Sequence, residues 1–294
     1  DAVIAAGEAT GARVVYADDT WMYGKVSAPM TPDLPYRPVS AQGVLRAWLA
    51  ELAGLGVVLR TGWRWTGWDG DTLRFDTPEG ESRLRPDVTV LALGGASWPR
   101  LGSDGTWAEL LSARGVAIAP FHPANMGLGV DWSDHMAPHF GQPVKAAMLV
   151  AGNTASRGEF VISARGLEGG GIYTVSAAVR DGAPLTLNLA PDLTEAELTL
   201  RLAATRPGES AANRLRKALR LSPAVIAMVQ EFARPLPADP PPLARLLKML
   251  PIRHTGPRPL AEAISTAGGI RAEALTPGLM LKAAIEAGDA ALAE

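Results

Sequence analysis

The sequence predicts an α/β protein, because three of its hydrophobicity patterns match the strands and helices of that class. The first residues read as the end of a helix and a glycine-bearing turn, followed by a buried strand from Ala12 to Ala17. The continuous apolar run from Val88 to Leu93 predicts a strand buried on both faces, as in a parallel sheet. Between them, alternating apolar and polar residues predict a small antiparallel meander, with turns at Asp69-Gly70 and Glu79-Gly80.

Two acidic residues, Asp18 and Asp19, follow the first predicted strand. The order helix, turn, strand and acid is typical of the second strand of a dinucleotide-binding unit, whose acid accepts a hydrogen bond from a ribose hydroxyl. Alternatively, the two acids simply begin a loop, since aspartate is common there. The pattern alone leaves both interpretations open.

Helices are predicted further along the chain by residues that commonly begin them. A capping box pairs a threonine with a glutamate three residues later, and proline is favoured at the first helical position. These signals occur at Thr106 with Glu109, Thr194 with Glu197, and Ser222 with Pro223. The proline-rich segment from Pro235 to Pro242 predicts a stiff linker between helices.

The region from Val144 to Leu189 predicts short strands separated by glycine-rich turns. The strand-like segments are Phe160 to Ser163, Ile172 to Ser176 and Leu185 to Leu189. This β-rich region precedes the helical one.

The composition excludes several classes of function. A formal net charge of −2 gives no electrostatic case for binding nucleic acid or an anionic membrane. The absence of cysteine excludes disulfides, thiolate nucleophiles and zinc–thiolate sites. The four histidines (His122, His135, His139 and His254) are scattered and predict no metal site. No apolar run approaches the roughly 20 residues that span a bilayer, and no signal peptide opens the chain, so we expect a cytoplasmic protein.

The segment LALGGASWPRLGSDG, from Leu91 to Gly105, carries the strongest functional signal. Two glycines, Gly94 and Gly95, follow a predicted buried strand, and ligands bind at that end of an open α/β sheet. Glycine allows the backbone to approach a cofactor closely, and exposed N–H groups suit a pyrophosphate or a flavin edge. The alternative is an ordinary tight turn between a strand and a helix.

This segment resembles the strand–loop–helix of the HI0933-like (BaiN-like) flavoproteins, approximately ATGG-x-S-x-P-x-x-G-S-x-G. The matching residues are Gly94, Gly95, Ser97, Pro99, Gly102, Ser103 and Gly105. Leu93 replaces a usual threonine, and Trp98 stands where a tyrosine is common. The segment from Gly158 to Asp181 is similar to the family's inserted domain. The segment from Pro259 to Lys282 resembles the return to the flavin domain, with Thr266, Gly268 and Gly269 matching.

The resemblance implies a Rossmann-like FAD-binding domain, interrupted by an inserted β-plus-helical domain on the substrate side. The FAD domain would comprise residues 1–124 and 255–294, and the insert residues 125–254. FAD would be the cofactor, with NAD(P)H as electron donor and a small organic molecule as substrate. The implied cofactor-binding residues are Asp19, Gly94, Gly95, Ser97, Trp98, Pro99, Gly102, Ser103, Gly105, Thr266, Gly268 and Gly269. No catalytic residue follows from the resemblance.

The sequence departs from the family pattern at two cofactor-binding segments. No G-x-G-x-x-G occurs in it, and Asp1 falls within the helix expected after that loop. After Lys282 the chain runs into AAIEAGDAALAE instead of the expected flavin-ring loop. Fewer backbone donors to the pyrophosphate predict weaker FAD binding. The alternative function is therefore a truncated or non-catalytic binding module with a flavoprotein fold and no tight FAD. Hydrolase motifs are absent.

Overall fold

The computed structural model describes residues 51–52, 54–206 and 208–276. The chain divides into two compact units, residues 1–92 and 93–294. The predicted strand from Ala12 to Ala17 and both acids, Asp18 and Asp19, lie outside the described residues.

The first unit contains the predicted meander. Its strands are β1 (Arg64–Asp69), β2 (Thr72–Thr77) and β3 (Gly80–Leu84), antiparallel and in that order. The turns lie where the sequence predicts them, and Gly70 has a φ of 62°, which favours glycine. The tryptophans of this region pack on aromatic neighbours: the Trp65 and Trp68 rings meet edge to face at 4.5 Å.

The predicted strand from Val88 to Leu93 is not formed, so this prediction is wrong. Among the described residues no segment pairs with it, and Val88 and Val90 are 45% and 69% exposed. An apolar run becomes a strand only where a neighbouring strand satisfies its backbone N–H and C=O groups. Hydrophobicity alone does not supply that partner.

The second unit is built around an antiparallel sheet. Its strands are β4 (Ile118–Ala124), β5 (Leu128–Gly129), β6 (Pro143–Ala151), β7 (Thr154–Ser163), β8 (Gly166–Glu168), β9 (Leu185–Asn188), β10 (Leu250–Pro251), β11 (Gly256–Pro257) and β12 (Ser265–Ile270). Seven of them form one sheet in the order β10-β9-β6-β7-β8-β5-β11, and β12 pairs with β4. The described pairs are all antiparallel.

Six α-helices are described in the second unit. They are α1 (Trp107–Ser112), α2 (Gly170–Arg180), α3 (Glu195–Ala203), α4 (Ala211–Leu219), α5 (Pro223–Phe232) and α6 (Pro240–Lys248). Short 3₁₀ helices occupy Pro99–Leu101, Asp134–His139, Leu260–Glu262 and Ala272–Ala274. Among the described helices, none has both the length and the apolar character needed to cross a membrane. The described chain is thus mixed α/β, as the sequence predicts.

The core of the second unit lies between the seven-stranded sheet and its helices. Leu149 on β6, Phe160 on β7 and Ile172 on α2 are each at most 1% exposed. Helix α2 approaches the sheet backbone to backbone, because a Cβ on Gly158 would lie only 3.0 Å from the Cα of Gly171. Two glycines therefore set the distance between α2 and β7.

All three predicted helix starts are confirmed in position, and two of them, at Thr194 and Ser222, also form their side-chain caps. The Thr194 hydroxyl accepts a hydrogen bond from the Glu197 N–H at 3.2 Å, and the Glu197 carboxylate accepts one from the Thr194 N–H at 2.8 Å. Ser222 caps α5, with Pro223 at the first position. The capping box at Thr106 is not formed, because that residue has helical φ and ψ and the Glu109 N–H donates to the Thr106 carbonyl at 3.3 Å instead of to its hydroxyl.

Two segments have a secondary structure that differs from the prediction. Residues 172–176 form part of α2 rather than a strand, because Ile172, Val175, Ser176 and Val179 recur at helical spacing and bury one face. The prolines at positions 240–242 are not linker but occupy the first turn of α6, where a missing N–H costs nothing.

Candidate functional site

The glycine loop, residues 94–105, connects the end of the apolar run to α1. Gly94, Gly102 and Gly105 have φ values of 69°, 95° and 71°, which a side chain strongly disfavours. The loop therefore adopts left-handed backbone conformations at three points where the sequence provides glycine. Gly102 donates its N–H to the carbonyl of Pro99 at 3.0 Å and closes the short 3₁₀ turn.

Thr266 of β12 fastens the start of this loop. Its hydroxyl oxygen accepts a hydrogen bond from the Ala96 N–H at 2.9 Å and lies 3.3 Å from Ser97 Oγ. A Cβ on Gly95 would lie 2.5 Å from Thr266 Oγ1 and 2.7 Å from Thr266 Cβ. A side chain at position 95 would overlap the Thr266 side chain, so glycine is required there.

Trp98 holds an unusual backbone conformation for a bulky residue. Its φ of 61° and ψ of 54° are left-handed, a strained region in which tryptophan is rare. The Trp98 N–H donates to the carbonyl of Ala261 at 3.2 Å, and the Arg100 guanidinium lies 5.0 Å from the indole centroid. Pro99, with its fixed φ, begins the 3₁₀ turn directly after it.

The second half of the loop packs onto β4 and α1. A Cβ on Gly105 would lie 2.7 Å from the Ala96 side chain and 2.8 Å from the Phe121 ring, so a side chain there would push the two halves apart. Ser103 Oγ lies 3.6 Å from the Cβ position of Gly94. Asp104 accepts hydrogen bonds from the N–H and hydroxyl of Thr106.

Gly268 and Gly269 lie in β12 and allow this strand to pair with β4. Both have positive φ values, 101° and 94°, at a register irregularity between Ala267 and Gly269. A Cβ on Gly268 would overlap the carbonyl oxygen of Pro120, and one on Gly269 would lie 3.5 Å from the Trp107 ring. These two glycines therefore allow the strand to pack closely.

The structure thus brings together most of the predicted site residues. Thr266 lies against both Gly95 and Ser97, and Gly94 lies beside Ser103. Asp19 lies outside the described residues. Sequence reasoning missed Ala261, because a backbone carbonyl acts independently of its side chain and leaves no signal in the sequence.

The glycine loop has features that fit a nucleotide cofactor. Among the described residues, neither the Gly94 N–H nor the Gly95 N–H donates a hydrogen bond, so both remain available to an oxygen or ring-nitrogen acceptor. Among the described residues, the one atom within 4 Å of a Cβ built on Gly94 is Ser103 Oγ, at 3.6 Å. In the described part of the chain, no group of three or more metal-ligating side chains exists.

The fold and the loop define the class: a mixed α/β protein with a glycine loop that presents main-chain donors. A sequence model of the HI0933-like protein Rossmann domain matches residues 36–287. The chain belongs to this family, and membership indicates a flavoprotein-type Rossmann fold. No curated protein with which the chain was compared matches it.

Proposed function

We propose that the chain is an FAD-dependent oxidoreductase that uses NAD(P)H as electron donor and acts on a small organic substrate. The observation that carries this proposal is the glycine loop, whose Gly94 and Gly95 N–H groups lack acceptors among the described residues. Family membership supports the cofactor class. In this proposal residues 1–124 and 255–294 bind the cofactor, and residues 125–254 form an insert on the substrate side.

The residues of the loop would have distinct roles toward the cofactor. When bound, FAD supplies the redox chemistry, and the protein orients it by hydrogen bonds. Gly94 and Gly95 would donate N–H hydrogen bonds to FAD. Thr266 would hold the loop in place by accepting a hydrogen bond from the Ala96 N–H and by packing against Gly95. Gly102 and Gly105 shape the loop, and Ser103 closes one side of the Gly94 position.

A second candidate function is a binding module with a flavoprotein fold and no tight FAD. The observation that favours it is the segment from Val88 to Leu93, which precedes the loop but is not paired in a sheet among the described residues. A loop without a paired strand in front of it is less rigidly oriented toward a ligand.

FAD titration of the purified protein, followed by flavin fluorescence and visible absorption, distinguishes the two functions. We expect saturable binding of FAD, and bleaching of the bound flavin by NADH or NADPH without oxygen. A colourless protein that takes up no added FAD would overturn the oxidoreductase proposal and favour the binding module. FAD uptake without bleaching by either nicotinamide would remove the proposed electron donor.

A glycine substitution tests the placement of the site. Gly95→Ala is expected to weaken FAD binding by about tenfold or more, because the added Cβ must displace Thr266 and with it the acceptor of the Ala96 N–H. Gly170→Ala is the matched control, since no atom of the described residues lies within 4 Å of a Cβ at that position. Equal FAD affinity in the two variants would place the cofactor elsewhere.

A further inference from the structure

The return segment, residues 257–266, runs from the seven-stranded sheet to β12. At its start, the Arg258 N–H donates to the carbonyl of Gly127 at 2.9 Å, and the arginine side chain packs on that glycine. Its centre is the 3₁₀ turn Leu260–Glu262, and its end contains Thr266. The segment therefore contacts the sheet at one end and the glycine loop at the other.

A cluster of four charged side chains fastens the centre of the return segment to the sheet. The Glu262 carboxylate accepts hydrogen bonds from Arg165 at 2.8 Å and from Arg258 at 2.9 Å. Arg258 also donates to Glu168 of β8 at 2.6 Å, and its side chain is only 18% exposed. The hydrogen bond from Arg165 is the largest cause of the lowered pKa of Glu262. Two arginines thus hold one carboxylate in a fixed position.

The residue next to Glu262 holds the strained residue of the glycine loop. Ala261 offers its carbonyl to the Trp98 N–H at 3.2 Å. A left-handed tryptophan persists only where its surroundings determine its conformation, and this hydrogen bond is one such determinant. The Ala261 carbonyl belongs to the same 3₁₀ turn as Glu262, whose carboxylate the two arginines contact.

We propose that Glu262 is a positioning residue for the glycine loop, acting through the Ala261 carbonyl on the Trp98 backbone. The inference rests on the proposed function, because it assigns the loop a cofactor whose affinity depends on this positioning. It also links β8, within residues 125–254, to the loop that would bind the cofactor. Arg165 and Arg258 are the partners that make the link.

The test replaces Glu262 by glutamine, which keeps the shape but can accept from only one of the two arginines and turns its NH₂ toward the other. Residue-resolved hydrogen exchange is measured without any ligand, and FAD affinity is measured on the same samples. We expect Glu262→Gln to speed exchange of the Trp98 amide by about tenfold and to weaken FAD binding by about fivefold. Exchange of the Leu149 amide, in the core, should stay unchanged.

The matched control is Glu195→Gln, which alters a carboxylate paired with an arginine far from the loop in sequence, at 3.4 Å from Arg245. It should leave Trp98 exchange and FAD affinity at their wild-type values. If Glu262→Gln fails to fold, Arg165→Gln, whose side chain is 58% exposed, should shift both readouts in the same direction by a smaller factor.

The outcomes separate this inference from the proposed function. Unchanged Trp98 exchange in Glu262→Gln overturns the positioning role, and so does faster exchange with undiminished FAD affinity. Wild-type protein that binds no FAD refutes the proposed function by itself. In that case Trp98 exchange still decides whether Glu262 positions the loop.

Discussion

At the scale of single residues, His254 shows how burial favours one protonation state and a hydrogen bond one tautomer. Its Nδ1 accepts a hydrogen bond from the Gly256 N–H at 3.2 Å, so the neutral ring carries its proton on Nε2. Burial lowers the pKa of His254 below its ordinary value of 6.5, because desolvation disfavours the charged ring. The folded protein therefore favours the neutral form.

This lowered pKa predicts acid sensitivity. Below pH 6.5 the unfolded chain binds more protons at this position than the folded chain, so the free energy of unfolding falls as the pH drops. We expect His254→Asn, which keeps an acceptor near Gly256, to lose less stability than the wild type between about pH 7.5 and 5.5. Chemical denaturation across that range measures it.

The control for this prediction is Gly170→Ala, which changes an exposed position and no titratable group. It should follow the wild-type pH profile. Parallel profiles for His254→Asn and the wild type would contradict the prediction.

At the scale of elements, Arg253 stabilises the end of α5. Its guanidinium donates to the carbonyls of Phe232 at 2.7 Å and Glu231 at 2.6 Å, which have no partner within the helix. A positive charge at a helix C-terminus also interacts favourably with the helix dipole. Arg253 therefore connects the helical region to the chain that follows β10.

Removing this cap should destabilise the protein measurably. Arg253→Met is expected to lower the free energy of unfolding by about 1–2 kcal/mol, since two charge-assisted hydrogen bonds are lost and two carbonyls lose their donor. Urea denaturation measures the change. The control is Arg245→Met, which breaks an exposed ion pair and should change stability by less than about 1 kcal/mol. Equal effects from the two variants would contradict the role of Arg253.

The sequence predicted secondary structure well where the signal came from neighbouring residues, and poorly where the element needed a pairing partner distant in the sequence. The capping box at Thr194 involves residues three apart, and both of its hydrogen bonds are formed. The same pattern at Thr106 marks the start of α1 but forms no capping box, because Thr106 has helical φ and ψ and the Glu109 N–H donates to its carbonyl. The apolar run from Val88 to Leu93 failed because a strand depends on residues distant in the sequence.

The residues of the candidate site also divide into those that a local sequence signal identifies and those that depend on distant parts of the chain. Gly94 and Gly95 could be identified from their position in a glycine-rich segment. Thr266 could not be placed beside them by spacing, since 171 positions separate it from Gly95, and only the family resemblance indicated that its segment belongs there. The carbonyl of Ala261 could not be predicted at all, because any residue carries the same group.

At the scale of the whole molecule, buried side chains are distributed unequally between the described parts. In the seven-stranded sheet, Val144, Leu149 and Ile162 are at most 1% exposed. In the meander, Leu73 is buried but the ion pairs are exposed, including Arg83 with Asp69. Exposed ion pairs contribute little stability.

This difference predicts a hierarchy of hydrogen exchange. Backbone amides of β6 and β7 should exchange only through global unfolding, whereas amides of β2 should exchange through local openings of lower free energy. Native-state exchange at increasing denaturant concentrations measures both. Amides of β2 as protected as those of β6 would contradict the prediction.

The close approach of Gly158 and Gly171 has a consequence for how this fold tolerates change. Because the main chains of α2 and β7 are in contact there, backbone atoms set the distance between the helix and the sheet, and a substitution cannot make these atoms smaller. Even one added methyl group at Gly171 would lie 3.0 Å from a Leu149 methyl and 3.1 Å from the carbonyl oxygen of Glu159. The distance between α2 and β7 is therefore at its minimum at this point, and substitutions of these glycines can only increase it.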